Sequence, residues 1–261
     1  MWSERGCDLM GKHAALVDVS RCTACRACQV ACKQWNELPA EKTVNMGTYQ
    51  NPPDLSVATY TLIRFKEISD KGEIRWNFFK DQCRHCLEPP CKEAADGTVK
   101  GAIVQDENGT VLFTEKTRLL DIKEIRDECP YDIPRQDPNT KLMGKCTFCA
   151  DRIANGMIPA CIKVCPTGAL TFGPRDKILQ MANKRLAEVK KRFPQAKLMG
   201  DEEEVSWIYL IHQPEAEFQM TVRAKKPSTV ARRAFMKPLG ALVAGTAFLG
   251  SVATDSDPSI E

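Results

Sequence analysis

The stretch from Cys22 to Cys32, CTACRACQVAC, decides the fold of this chain. Its cysteines at positions 22, 25, 28 and 32 follow a C-x2-C-x2-C-x3-C spacing. Three thiolates on so tight a loop can hold three irons of one cubane, while the fourth, one helical turn later, points towards a different cubane. The stretch therefore predicts a 4Fe-4S site and requires a complementary set of cysteines elsewhere in the chain.

That complement lies far along the chain, in the run CTFCADRIANGMIPACIKVC from Cys146 to Cys165. Pro166 follows the last cysteine, as is typical of such runs. Because each run completes the other's cluster, we predict two sites. Site one consists of Cys22, Cys25, Cys28 and Cys165. Site two consists of Cys32, Cys146, Cys149 and Cys161.

The middle of the chain predicts a third site. CRHCLEPPC supplies three cysteines, and a fourth stands alone in ECPYDIPR. Site three consists of Cys83, Cys86, Cys91 and Cys129. Three 4Fe-4S clusters then use twelve of the thirteen cysteines, and Cys7 is left as an unliganded thiol.

The same reciprocal spacing would place the ligands of a fourth site at positions 95, 119, 122 and 125, but none of these residues is a cysteine. These positions hold Ala95, Leu119, Ile122 and Ile125, all aliphatic. Since an empty space the size of a cubane costs packing energy, we expect aliphatic side chains to fill it.

Composition and motifs narrow the function. The 261 residues are 43% hydrophobic and carry a net charge of only +3, so a compact core is expected and a nucleic-acid partner is not. Two other uses of the cysteines remain open, a disulfide framework and zinc sites of four thiolates. No nucleotide-binding or hydrolase motif occurs, so electron transfer without a substrate pocket is the indicated role.

Short apolar runs, alternation in 59–68 and a hairpin signal between 104 and 110 predict strands. The predicted strands span 14–19, 59–68, 74–79, 102–104, 110–113, 169–172 and 205–211. Helices are predicted over 26–35 and 175–193. The fold class is therefore α+β. Three charged or titratable side chains stand beside the cysteines, namely His85, Lys145 and Arg152. Each is either a partner of a nearby cluster or an ordinary loop or solvated residue.

The C-terminal tail contains an uncharged stretch from Pro238 to Thr254, at the lower length limit for a membrane helix. We expect it to anchor the chain, with a buried or docked helix as the alternative. The N-terminus has no apolar region of a cleavable signal peptide, so any export must be arranged by a partner.

Several runs resemble the iron–sulfur subunits that accompany molybdenum or tungsten bis-pyranopterin oxidoreductases, a family that includes dimethyl sulfoxide reductase and formate dehydrogenase. The likeness is closest to the small subunit of formate dehydrogenases. It is carried by RCTACRACQVACKQWNELPA, YQNPPDL, FFKDQCRHCLEPPCK, CPYDIPR and KCTFCADRIANGMIPACIKVCPTGAL. The missing fourth site resembles the three-cluster small subunits of that type, whereas the apolar tail resembles the quinone-linked type.

The resemblance implies two interleaved halves, each similar to a bacterial ferredoxin. Half one would span about 14–60 plus 140–175 and half two about 75–135, within a cluster-binding domain over 14–195. A C-terminal strand and connection would follow over 196–230, and an anchoring tail over 231–261.

The resemblance also implies a partner, a catalytic subunit that oxidises formate at molybdenum or tungsten. The electrons would pass to a cytochrome or a quinone-linked membrane subunit. Other enzymes of the superfamily, such as polysulfide or nitrate reductases, or a hydrogenase, are alternatives. A zinc-stabilised interaction module is an alternative of a different class.

Two arguments on location oppose each other. Members of the family are often exported with a signal-bearing partner, which favours a membrane-associated position on the periplasmic face. Arg232, Arg233 and Lys237 before the tail favour the cytoplasmic face instead. We expect the periplasmic face, because export of a folded complex need not obey rules for inserted loops.

Overall fold

The computed structural model describes residues 13–70, 72–199 and 201–222, which form a mixed structure of helices and strands. The strands are β1 His13–Asp18, β2 Thr61–Asp70, β3 Glu73–Gln82, β4 Ile103–Gln105, β5 Val111–Phe113, β6 Arg135–Gln136, β7 Met143–Gly144, β8 Leu170–Pro174, β9 Lys197–Leu198 and β10 Trp207–Ile211. The helices are α1 Ala27–Trp35, α2 Pro90–Thr98, α3 Ile122–Glu128, α4 Ala150–Ala154, α5 Ala160–Lys163 and α6 Arg175–Lys190. Short 3-10 turns cover Val19–Arg21, Glu115–Leu119 and Glu215–Glu217.

The main sheet has the strand order β8-β1-β10-β9. β1 runs antiparallel to β8, with Ala15 opposite Phe172, and parallel to β10, with Ala15 opposite Trp207. Every residue of β10, WIYLI, is buried, as expected for a parallel pair covered on both faces. β10, the last strand in the sequence, is therefore a central strand of this sheet and lies next to β1.

The two faces of this sheet have different partners, because successive side chains of a strand point to opposite faces. On one face Leu16 and Ile208 pack under α6, whose Ile178 and Ala182 lie on its inner stripe. On the other face the strands pack against the cysteine-bearing segments. The buried residues there include Ala15, Val17, Trp207, Tyr209, Cys28, Cys161, Phe79 and Phe148. The sheet thus forms the floor beneath the predicted sites.

A long hairpin pairs β2 with β3 from Thr61 opposite Gln82 to Asp70 opposite Glu73. Aromatic and β-branched residues supply its strand propensity. The Tyr209 hydroxyl donates a 2.6 Å hydrogen bond to the carbonyl oxygen of Lys80, which ties the hairpin to β10. Because β3 ends at Gln82, the hairpin delivers the chain directly into Cys83.

Helices α2 and α3 pack together with β4 and β5. Pro90 stands in the first turn of α2, where it needs no backbone donor. The Asp121 side chain caps α3 by accepting a 2.9 Å hydrogen bond from the Lys123 amide. Their shared core consists of Ala95, Ala102, Ile103, Val111, Leu120, Ile125 and Met143.

The strands and the two helices predicted from the sequence are all confirmed, with ends that differ by up to three residues. The structure adds four short helices that the sequence analysis does not predict, α2, α3, α4 and α5. In the connection after β10, Phe218 is buried against Phe79 rather than lying at the surface.

The predicted anchor at 238–254 lies outside the described residues. Within the described ranges, no helix combines the length and the apolar character that crossing a membrane requires.

Candidate iron–sulfur sites

Site one is a pocket of about 450 Å³ that all four predicted cysteines line. Cys22 follows the 3-10 turn after β1, Cys28 lies on α1, and Cys165 comes just after α5. α1 packs against α5, which brings the first and last cysteine runs together. Cys25 is exposed, so this pocket reaches the protein surface.

Site three is a second pocket, of about 360 Å³, and again all four predicted cysteines line it. Cys83 and Cys86 follow β3, Cys91 lies in the first turn of α2, and Cys129 directly follows α3. Lys145 and Arg84 also line this pocket. The middle run and the solitary cysteine therefore meet as the spacing predicts.

Site two has four buried cysteines, Cys32, Cys146, Cys149 and Cys161. Cys32 lies on α1 one turn beyond Cys28, Cys161 lies on α5, and Cys149 immediately precedes α4. Burial raises the pKa of the Cys32 thiol, and the other three thiols of this group raise it further through their negative charge. That mutual influence places the four sulfurs in one neighbourhood.

The C-x2-C loops that open the three cysteine runs share one backbone geometry. Ala24, His85 and Phe148, each the residue before the second cysteine, have φ of 53°, 49° and 54°. The left-handed region is uncommon for residues other than glycine and is found at functional sites, where the surrounding structure enforces it. The turn directs a backbone amide towards a cysteine sulfur. The His85 amide lies 3.4 Å from Cys83 Sγ, and the Phe148 amide lies 3.4 Å from Cys146 Sγ.

Amide donors of this kind are the groups that tune iron–sulfur clusters. The amide of Ala24 likewise donates to the Cys22 thiol and lowers its pKa, although burial outweighs that effect and raises it. The loops therefore supply both thiolate ligands and hydrogen bonds to them. The donor set fits 4Fe-4S clusters.

Each site has thiols whose pKa is raised by burial, to about 11 for Cys28 and Cys129 and to about 12 for Cys146. Without metal these thiols are protonated at neutral pH. Only thiolates ligate iron, so loading must displace their protons. In the described part of the chain no three Cys, His, Asp or Glu side chains converge as they would around a single metal ion.

The described cysteines are all free, so the disulfide framework is wrong.

Lys145 and Arg152 are both buried, so neither is a solvated cation. The Lys145 Nζ donates to the carbonyl oxygen of Cys146 at 3.0 Å, whereas the Arg152 guanidinium stacks over Trp35 at 4.1 Å. Arg152 also donates a 2.7 Å hydrogen bond to the carbonyl oxygen of Ile158, so both cations contact segments that carry the cysteines of site two.

His85 is neither a simple loop residue nor a ring donor to sulfur. It is fully buried, and its Nδ1 accepts a 3.1 Å hydrogen bond from the Val111 amide. Only its backbone amide reaches Cys83.

Sequence reasoning missed two buried cations, Lys80 and Arg84. Each stands among buried neighbours immediately before or within the CRHC loop. A lysine inside the apolar part of β3 was the available signal, because a buried ammonium is costly unless it has a partner.

The predicted aliphatic filling is right at three of four positions. Ala95 and Ile125 are fully buried and Ile122 packs against the same core, which also touches Cys91 of site three. The prediction is wrong for Leu119, because its side chain is 66% exposed at the end of a 3-10 turn.

These features define a protein with 4Fe-4S centres built on cysteine runs of the bacterial-ferredoxin type. Comparisons with known proteins agree: residues 74–175 match the 4Fe-4S dicluster domain family. A beta subunit of Nitratidesulfovibrio vulgaris, named formate dehydrogenase 2 subunit beta (cytochrome c-553), is 50% identical over 210 residues, which are 78% of this chain and 95% of the relative.

Two further relatives carry similar names. The formate dehydrogenase subunit beta of Megalodesulfovibrio gigas is 49% identical and covers 79% of this chain and 97% of the relative. The formate dehydrogenase-O iron-sulfur subunit of Escherichia coli is 40% identical and covers 71% of this chain and 61% of the relative. This chain belongs to the family of formate dehydrogenase beta, or iron–sulfur, subunits, and it transfers electrons through 4Fe-4S clusters.

Proposed function

We propose that this chain carries three 4Fe-4S clusters, in sites one, two and three, and relays electrons from a formate-oxidising catalytic subunit to a separate acceptor. The observation that carries the proposal is that the twelve described cysteines fall into three groups of four. A bound 4Fe-4S cluster accepts and returns one electron, with no proton or bond moved.

Site two is the middle of the proposed relay. Burial raises the pKa of Cys161, and Cys28 of site one raises it further through its negative charge. Burial likewise raises the pKa of Cys146, and Cys83 of site three adds to that shift. Site two therefore has a neighbour on each side, which supports the linear order one, two, three.

The number three has separate support from the aliphatic core beside Cys91. Ala95, Ile122 and Ile125 occupy the positions where a fourth set of ligands is expected, and none of them can bind iron. The missing site neighbours site three, at one end of the proposed order. Its loss shortens the relay without interrupting it.

The pairing of helices supports two interleaved halves. α1 from the first cysteine run packs against α5 from the last run, and α2 packs against α3 in the middle of the chain. Each proposed half thus places two helices beside its cysteines, as the resemblance to ferredoxins implies.

The proposed partner is a catalytic subunit that holds molybdenum or tungsten on a bis-pyranopterin. Formate oxidation yields carbon dioxide, one proton and two electrons, and this chain would pass the electrons on one at a time. The relatives are named as beta or iron–sulfur subunits of formate dehydrogenases, which supports such a partner. One relative's name includes cytochrome c-553, which favours a cytochrome as acceptor, with a quinone-linked subunit as the alternative.

We further propose that the complex is membrane-associated on the periplasmic face. Protease added to spheroplasts should then digest this chain together with a periplasmic control. Protection of the chain while the control is digested would place it in the cytoplasm.

An iron assay on the complex tests the cluster number. The wild type is expected to hold about twelve irons in this subunit, after subtraction of the iron found in the separated catalytic subunit. Cys32→Ala should leave about eight, because site two loses a ligand. The matched control Cys7→Ala removes the thirteenth cysteine and should leave about twelve.

A wild-type value near eight or sixteen would refute three clusters.

Reduction of the clusters by formate, seen by electron paramagnetic resonance, tests the partner. Clusters that dithionite reduces but formate does not would point to another enzyme of the superfamily.

A further inference from the structure

Lys80 is a buried cation of the β2-β3 hairpin that lies between the cysteine runs. Its side chain lies on β3 and is only 2% exposed. Nζ donates a 2.7 Å hydrogen bond to Thr61 Oγ1 and a second bond to Gln82 Oε1. It also lies 4.9 Å from the centroid of the Trp207 ring. These partners orient the ammonium but carry no charge.

No carboxylate within the described ranges forms an ion pair with Lys80. A buried ammonium without a counter-charge costs several kcal/mol, so the compensating charge must come from elsewhere. Cysteine thiolates are the candidates on the page. Burial alone would lower the pKa of Lys80, but Cys161 and Cys28 in their thiolate forms, which are the forms that ligate iron, outweigh burial and raise it.

Cys161 belongs to site two and Cys28 to site one, and both share one buried cluster with Trp207, the ring beside the Lys80 ammonium. This one cation therefore faces both sites. Lys80 also lines the pocket of site one. The corresponding cation for site three is a different residue, since Lys145 lines that pocket and lowers the pKa of Cys91 against the effect of burial. The cation that faces sites one and two is therefore a different residue from those that line site three.

A fixed positive charge favours whichever redox state carries more negative charge. Reduction of a cluster adds one electron, so a nearby ammonium stabilises the reduced state more than the oxidised one. The interaction is strong because the site is buried and little screened by salt. A cation shared by two sites raises both potentials together.

We propose that Lys80 is a fixed-charge residue that raises the reduction potentials of sites one and two together. The difference between the two potentials therefore stays small, and electron transfer between the sites is not opposed. The inference rests on the three-cluster function proposed above. Lys80 keeps its proton throughout, and each reduction adds one electron supplied by the catalytic subunit in the enzyme or by dithionite in a titration.

The test is a redox titration of the complex with dithionite and mediators, followed by electron paramagnetic resonance. Lys80→Met should shift two of the three cluster potentials to more negative values and leave the third unchanged. Lys177→Met is the matched control, because it removes the same charge from an α6 side chain that is 67% exposed. It should move none of the three.

Lys80→Arg keeps the charge and should return both potentials towards the wild type. If Lys80→Met and Lys80→Gln lose iron while Lys80→Arg keeps it together with near wild-type potentials, a requirement for charge is still supported. Three unchanged potentials in an iron-loaded Lys80→Met complex would overturn the proposal. So would an equal shift of all three, or iron loss in the arginine variant as well.

Iron content separates this inference from the function on which it rests. A wild-type complex with about twelve irons, in which Lys80→Met moves no potential, would refute the role of Lys80 alone.

Discussion

The imidazole of His85 stacks on the ring of Phe148, with centroids 5.1 Å apart and an angle of 29° between the rings. His85 directly precedes Cys86 of site three, and Phe148 directly precedes Cys149 of site two. Both residues have a left-handed backbone, and both donate an amide to a cysteine sulfur. The stack therefore joins two cysteine loops through the residues that shape them.

His85→Phe should destabilise the protein although it preserves the stack. The Val111 amide loses its acceptor, the His85 Nδ1, and a buried unpaired amide costs about 1–3 kcal/mol. At roughly 2–4 °C per kcal/mol for a chain of this size, the thermal midpoint should fall by several degrees. Scanning calorimetry of the iron-loaded protein measures the change.

His13→Phe is the matched control for that substitution. His13 stacks on Phe172 at a similar distance of 5.2 Å, but its Nδ1 has no hydrogen-bond partner. Its replacement should therefore leave the midpoint nearly unchanged. Equal losses in the two variants would show that the hydrogen bond to Val111 contributes nothing.

Ala24 should tolerate glycine but not valine. Its φ of 53° suits glycine, whereas a β-branched side chain there is strained by about 1–3 kcal/mol. Since Ala24 forms the loop between Cys22 and Cys25, Ala24→Val should lower the iron content through loss of site one. Ala24→Gly should keep the wild-type content. Iron assays on both variants check this, and full loading of the valine variant would contradict it.

Cysteine spacing predicted which cysteines lie together, because a cubane restricts where its ligands can lie along the chain. The pockets of sites one and three group their cysteines as predicted. The apolar runs of β1 and β10 and the alternation in β2 predicted those strands for a similar reason, since strands covered on both faces or on one face require these patterns.

Other features depend on contacts that sequence spacing does not encode. Lys80 was missed because its partners, Thr61 and the cysteines of two runs, meet it only after folding. Leu119 was assigned to the core because its position fits the spacing of a lost ligand. The 3-10 turn at Glu115–Leu119 instead turns it outward, which no periodicity indicated.

Ile125→Ala and Leu119→Ala should separate packing from position in the lost fourth site. Ile125 is fully buried among α2, α3, β4 and β5, so its truncation should cost about 2–5 kcal/mol. Leu119 is exposed, and its truncation should stay within about 0.5 kcal/mol. Thermal unfolding of both variants provides the comparison. Similar losses would mean that Leu119 is packed in solution.

Asp54 joins two arginines, with its carboxylate 2.6 Å from Arg64 Nη2 and 2.7 Å from Arg135 Nη2. Burial tends to raise the pKa of Asp54, but hydrogen bonds from both arginines outweigh it and lower the pKa below its ordinary value. Asp54→Asn should cost about 1 kcal/mol. This figure is discounted for solvent screening, because the side chain is 48% exposed.

The sign of the shift fixes the pH dependence of that loss. A carboxyl whose pKa is lowered on folding stabilises the protein fully above its unfolded pKa of about 3.9, and loses that effect as the pH falls through the folded value. The deficit of Asp54→Asn should therefore be constant between pH 5.5 and 8, an interval chosen to lie above about 3.9. Glu115→Gln is the control, because it breaks the ion pair of Arg118 with the Glu115 carboxylate, which is 87% exposed. It should show no deficit. A deficit for Asp54→Asn that grows as the pH falls from 7 to 5.5 in thermal unfolding would mean that its pKa is raised on folding, and that burial outweighs the two arginines.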